Sequence, residues 1–160
     1  MLERLEAARI DVWVQGGWGV DALVRRQTRP HDDLDLAVDV ARLGDALNAL
    51  APLGFAPDES AWPGLPARYV LRDGRGRQVD FHPLRFDEHG NGLQDLGDGR
   101  FGRHPADGLA GEGEIGARTV RCCTAALQRR FHQGYEPLRD QDRHDLELLA
   151  ELDGGAEDVF

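Results

Sequence analysis

A chain of 160 residues, 41% of them hydrophobic, is long enough for one domain spanning 1–160 with its own core. Its formal net charge of −10 argues against a nucleic-acid polymer as partner, because such binding depends on clustered positive charge. No apolar run reaches the length of a membrane span, Met1-Leu2-Glu3-Arg4 lacks the shape of a secretory leader, and the expected location is cytoplasmic with no membrane partner.

The first predicted element is a helix from Leu2 to about Arg9, followed by a short strand, Val12–Gln15. Gly16-Gly17 then reads as a turn into a helix carrying Val20, Leu23 and Val24 on one side and ending near Arg26. A strand, a Gly-Gly turn and a helix start together offer backbone N–H groups that can meet phosphate oxygens without a side chain intervening. Every basic residue is arginine, which excludes a lysine-based P-loop and leaves bidentate arginine contacts as the phosphate chemistry available.

The next strand, Asp33 to Val38, carries the chemistry. Its alternation puts Asp33 and Asp35 on one face and Leu34, Leu36 and Val38 on the other. Two carboxylates on one face are poor core material unless a cation lies between them, and a hard divalent ion such as Mg²⁺ suits oxygen ligands. Asp32 breaks the alternation and is expected to face away. Arg29 and His31 lie just before the strand, and Arg29 is a candidate ion-pair partner for Asp21. Trp18 reads as core or as a base-stacking ring.

Ala41 to Leu50 is an amphipathic helix with Leu43, Ala46, Leu47 and Leu50 inward, closed by Pro52 and Gly54. A proline-containing loop, Ala56 to Ala67, precedes a β-hairpin of Arg68–Arg72 and Arg77–His82. In its second strand Asp80 and His82 share a face. Gly90 to Gly116 reads as irregular loops with short strands around Phe101 and Ile115. Thr119–Cys123 is a buried strand that houses the only two cysteines, which are adjacent and not expected to bridge. Thr124 caps a helix to about Gln133, and a last helix runs from about Arg139 to Leu152.

The run Gly16-Gly17-Trp18-Gly19-Val20-Asp21-Ala22-Leu23, then Gln27-Thr28-Arg29-Pro30-His31-Asp32-Asp33-Leu34-Asp35, resembles the signature of small antibiotic nucleotidyltransferases. These are the lincosamide nucleotidyltransferases and aminoglycoside 2''-adenylyltransferases of the DNA polymerase beta-like superfamily. Further matches lie at Gln78-Val79-Asp80-Phe81-His82-Pro83 and Phe131-His132-Gln133-Gly134-Tyr135-Glu136, and the resemblance runs from about Val12 to about Leu149. It implies an α/β nucleotidyltransferase fold, a small mixed twisted sheet flanked by helices, with the C-terminal helices closing the cleft.

The resemblance further implies transfer of a nucleoside monophosphate, AMP from ATP foremost, onto a hydroxyl of a lincosamide or aminoglycoside. Asp33 and Asp35 match the family's metal-binding pair, and Asp80 matches the third carboxylate, which orients or deprotonates the hydroxyl. Such chemistry favours two Mg²⁺ ions about 3.5–4 Å apart. Gly16, Gly17, Arg29 and His31 then belong to the nucleoside triphosphate, and His82 is a candidate substrate contact. Asp140 and Asp142, with Asp87 and Glu88, suit a cationic antibiotic, or else simply charge a helix's first turn. Members of the lincosamide type are homodimers, and Leu93, Leu96, Phe101 and Leu109 could meet a two-fold partner. Two rival readings are a nucleotide-binding or antitoxin-type module serving a protein partner, and a metal-dependent phosphohydrolase built on His31-Asp32 and His144-Asp145.

Overall fold

The computed structural model describes residues 1–154. Its packing divides into two units. One holds Met1–Trp13 and Asp32–Ala106; the other holds Val14–His31 and the chain from Asp107 onward.

In the first unit, β2 (Asp33–Asp39) runs parallel to β5 (Gln78–Phe86), with Asp35 opposite Asp80 and Ala37 opposite His82. On the far side of β5 lies β4 (Tyr69–Arg72), antiparallel, and beyond it the two-residue β3 (Ala56–Pro57). The apolar face of β2 is buried as its alternation requires: Leu34, Leu36 and Val38 are inaccessible or nearly so. Phe81 and Leu84 of β5 are fully buried as well, and each such side chain contributes about 2 kcal/mol. Helices α1 (Leu2–Ala7) and α3 (Leu43–Leu50) pack against each other in this unit. The Asp39 carboxylate accepts the N–H of Ala41 at 2.9 Å and starts the short 3-10 turn Val40–Arg42 that leads into α3. Leu43, Ala46 and Leu50 are buried as expected, with Leu47 half-buried.

β5 runs four residues past the predicted hairpin strand. Pro83 sits inside it without breaking it, because β4 pairs only up to Phe81 and β6 (Gly92–Gly97) pairs only from Arg85. The missing N–H therefore falls where neither antiparallel neighbour is bonded.

The short strands expected around Phe101 and Ile115 are present, but Gly90–Gly116 is more regular than the loops expected between them. β6 (Gly92–Gly97) and β7 (Arg100–His104) form a hairpin, and β8 (Gly111–Ile115) is a further strand. Strand polarity was masked because several inward positions are glycine. At Gly92 a Cβ would lie 2.7 Å from the Leu84 side chain, so the residue is small for packing and not for a turn.

In the second unit, β1 (Val12–Gln15) contributes Val14, which pairs in parallel with Cys122 of β9 (Arg118–Cys122), and β8 flanks β9 antiparallel. α2 (Gly16–Val24) packs on β8 and β9, with α4 (Ala125–His132) and α5 (Asp140–Gly154) against it. Val20, Leu148 and Leu149 form a buried cluster. The N-cap of α4 is Thr124, as read from the sequence. Cys122 and Cys123 are free and buried, and burial pushes their thiols up to about 11 and about 12.

α2 stops two residues short of the predicted end. Arg25 takes the left-handed conformation (φ 58°), its N–H bonding Ala22 O while the Arg26 N–H reaches Asp21 O. This is a Schellman ending with arginine where glycine is usual, at a cost of about 1 kcal/mol. No local glycine announces it.

Candidate metal and phosphate site

The parallel register of β2 and β5 decides the geometry in the first unit. Paired residues of parallel strands share a face, so Asp33 and Gln78, Asp35 and Asp80, and Ala37 and His82 form a patch two strands wide. One ligand oxygen from each of Asp33, Asp35 and Asp80 lies within 4.8 Å of the others. The structure thus brings together all three acids singled out in the sequence. Among the described residues this is the group of His, Cys, Asp and Glu side chains able to hold a metal; His31-Asp32 and His144-Asp145 form none. Asp32 is exposed, outside the group, as its break in alternation predicts.

Asp80 is fully buried and both its oxygens are engaged. Arg68 Nη1 donates to Oδ2 at 2.6 Å, and Gln78 Nε2 donates to Oδ1 at 2.6 Å. The same guanidinium donates to the carbonyls of Trp62 (2.7 Å) and Pro63 (3.0 Å), tying the proline loop to the acid. Asp35 Oδ1 meets His82 Nε2 at 2.8 Å, and His82 Nδ1 meets the Gln94 amide at 3.2 Å. His82 therefore faces a carboxylate of the acid group.

Burial is the main reason the Asp33 carboxyl is pushed up to about 6, with Asp35, Asp80 and Asp32 adding repulsion and Arg68 opposing. Burial also raises Asp80; the Gln78 hydrogen bond and Arg68 hold part of that back, while Asp35 adds to it. Three crowded acids, of which Asp33 and Asp80 resist ionisation, are a poor arrangement alone and a good one around a divalent cation. The donor set is all oxygen, which fits Mg²⁺.

In the second unit, Gly16 has φ 60° and opens α2, so the Gly-Gly pair is the helix's first turn and not a separate loop. A Cβ at Gly17 would collide with Arg29 Nη2 and His31 Nδ1, which explains the absence of a side chain there. Of the two roles open to Arg29, the ion pair with Asp21 does not form. Arg29 instead forks onto the buried Asp145, with Nε–Oδ1 3.1 Å and Nη2–Oδ2 2.7 Å. Asp21 is occupied by His31 on one oxygen. On the other it accepts from the Thr28 N–H (3.1 Å) and hydroxyl (2.6 Å). Trp18 is half-buried with its ring 4.7 Å from the His31 imidazole, so it braces that histidine.

The acidic C-terminal cluster is also rearranged. Asp142 is fully buried; burial pushes its carboxyl up, but bonds from Arg139 (2.5 and 2.8 Å) and His132 (3.0 Å) outweigh this and hold it below the usual range. Asp87 closes a turn on His89 and Asn91. Asp142, buried with both oxygens engaged, is then not disposed toward a cationic antibiotic. Arg68, Gln78 and Gln94 are the polar site residues that the sequence reading did not pick out. No spacing announces Arg68 or Gln94; Gln78 stood two residues before Asp80, a same-face offset that could have found it.

A family profile described as Aminoglycoside-2''-adenylyltransferase matches residues 1–149. A lincosamide resistance protein of Staphylococcus haemolyticus is 28% identical over 152 residues, covering 95% of this chain and 91% of that protein. A 2''-aminoglycoside nucleotidyltransferase of Klebsiella pneumoniae is 28% identical over 122 residues, or 76% of this chain and 63% of the relative. The crystal structure of the lincosamide antibiotic adenylyltransferase LnuA, lincomycin-bound, matches with a TM-score of 0.79 at 27% identity, covering 93% of this chain and 91% of that one. The crystal structure of ANT(2'')-Ia in complex with adenylyl-2''-tobramycin matches at 0.73 and 22% identity, with 98% and 87% coverage, a likeness of fold.

Proposed function

Because the chain belongs to the aminoglycoside-2''-adenylyltransferase family and is a nucleotidyltransferase, we propose that it moves AMP from ATP onto a hydroxyl of a lincosamide or aminoglycoside antibiotic. The lincosamide class is favoured, since the relative and the structure of that type match over nine-tenths of both partners' lengths. The observation that carries the reading is the convergence of Asp33, Asp35 and Asp80 on one face of β2 and β5.

Asp33 and Asp35, with Asp80, are the residues that would hold Mg²⁺, two ions in the fullest form of the site. Bound there, the metal supplies charge neutralisation for the triphosphate and the leaving pyrophosphate. Asp80 accepts the proton of the acceptor hydroxyl, a role supported by burial raising its affinity for a proton. Gly16 and Gly17 offer backbone N–H groups to the triphosphate, and His31 adds its ring beside them. Arg29, its fork engaged by Asp145, contributes positive charge to the same task. A cytoplasmic location follows from the need for ATP. A homodimer is also proposed, with Leu96 and Phe101 exposed on β6 and β7 as contacts; Leu109 is buried in its own unit and drops out of that surface.

The test is incubation with ATP and Mg²⁺ against a panel of lincosamides and aminoglycosides, read by pyrophosphate release and product mass. Adenylylated antibiotic, abolished by EDTA, is the expected result. Absence of product with every antibiotic and every nucleoside triphosphate would refute the reading.

A further inference from the structure

We infer that His82, fixed in one tautomer by Gln94, is a positioning residue that keeps Asp35 turned toward the metal, an inference that rests on the metal reading above. Asp33, Asp35 and Asp80 present ligand oxygens within 4.8 Å of one another, so before a cation arrives their charges push the three side chains apart. Asp80 is held against that push by Arg68 and Gln78. The hydrogen bond that holds Asp35 comes from His82, whose Nε2 lies 2.8 Å from Oδ1.

The direction of that bond follows from a chain of donors and acceptors. Gln94 Nε2 lies 2.7 Å from the Ala67 carbonyl, which can only accept, so this end of the amide is the nitrogen. Its second N–H points at His82 Nδ1, 3.2 Å away. Nδ1 must then be the lone-pair nitrogen, which puts the ring proton on Nε2 and aims it at Asp35. Gln94 is buried, so water does not compete for its N–H groups. Ala37 stands opposite His82 in the parallel register, and its small side chain leaves the imidazole room to lean two residues along β2 to Asp35. A backbone carbonyl thus sets, through two side chains, the orientation of a carboxylate. Outer partners of this kind orient metal-binding groups generally.

The test is Mn²⁺ titration of the full chain without nucleotide, followed by the free-ion electron paramagnetic resonance signal, alongside turnover with ATP. His82→Leu is expected to weaken Mn²⁺ binding on the order of 10-fold and to lower kcat with the KM for antibiotic unchanged. Gln94→Leu is expected to lose affinity in the same direction. His82→Gln, whose amide nitrogen has the reach of Nε2, should recover most of the loss, which a purely space-filling role would not allow. Wild-type affinity in His82→Leu, or a His82→Gln variant as weak as His82→Leu, overturns the inference while leaving the metal reading intact. If wild type and Asp33→Asn bind Mn²⁺ alike, the metal reading itself fails and the inference falls with it.

Discussion

The charge of Asp33 should make the protein less stable, and Asp33→Asn should therefore stabilise it in the absence of metal while removing its activity. The Asp33 carboxyl is pushed up to about 6 from an ordinary 3.8 by burial and by Asp35 and Asp80. In the folded state the proton is thus held more tightly than in the unfolded state. Above about pH 6 the acid is ionised in both states, and the folded state alone bears the cost of a crowded charge. Below 3.8 it is protonated in both, and the cost is gone. The gap between about 6 and 3.8, at about 1.36 kcal/mol per pH unit, sets an upper bound of about 3 kcal/mol. Asp33 is only half buried, and solvent screening reduces the expected gain to about 1 kcal/mol. For a chain of this size that is about 2–4 °C in Tm. The assay is thermal unfolding of both proteins in EDTA at pH 7.5 and at pH 4. The variant should melt higher at pH 7.5, and the difference should shrink at pH 4. Adding Mg²⁺ should reverse the order, since only wild type gains full binding energy from the cation. A variant no more stable than wild type at pH 7.5, or one with an equal gain at both pH values, would refute the electrostatic account.

Three other outcomes are expected. Asp80→Asn should lower kcat more than it weakens ATP binding, measured by steady-state kinetics beside nucleotide titration; equal turnover with weaker binding would make Asp80 a structural residue. Arg68→Leu should cost about 3 kcal/mol in urea unfolding by stranding the buried Asp80 carboxylate, and Asp80→Asn in the same chain should recover much of it; additive losses would show the two do not interact. Gly17→Ala should destabilise by about 1–3 kcal/mol because the new methyl meets Arg29 and His31, and unchanged urea unfolding would show that those side chains move aside freely.

The sequence by itself determined the acid-bearing strand and the faces of its residues. Side chains alternate along any extended backbone, so Asp33 and Asp35 had to share a face opposite Leu34 and Leu36, and Asp80 and His82 had to share another. The strand before Gly16, the α3 core face and the Thr124 cap were legible for the same reason, since each depends on neighbours a few residues away. The tertiary structure alone decided which charges meet. Arg29 had Asp21 as its candidate acid, and α5 delivered Asp145, 116 residues on. Arg68 opens a predicted hairpin strand and Gln94 lies in a glycine-rich segment, and neither position names its partner, yet strand pairing brings one to Asp80 and the other to His82. Asp142 read as an acid of a helix's first turn and Asp145 as half of a His-Asp pair; both are buried, because His132 and Arg29 from other elements reach them. Periodicity fixes where a side chain points, but the partner it finds there depends on strand register and helix packing between distant segments, and those are properties of the assembled chain.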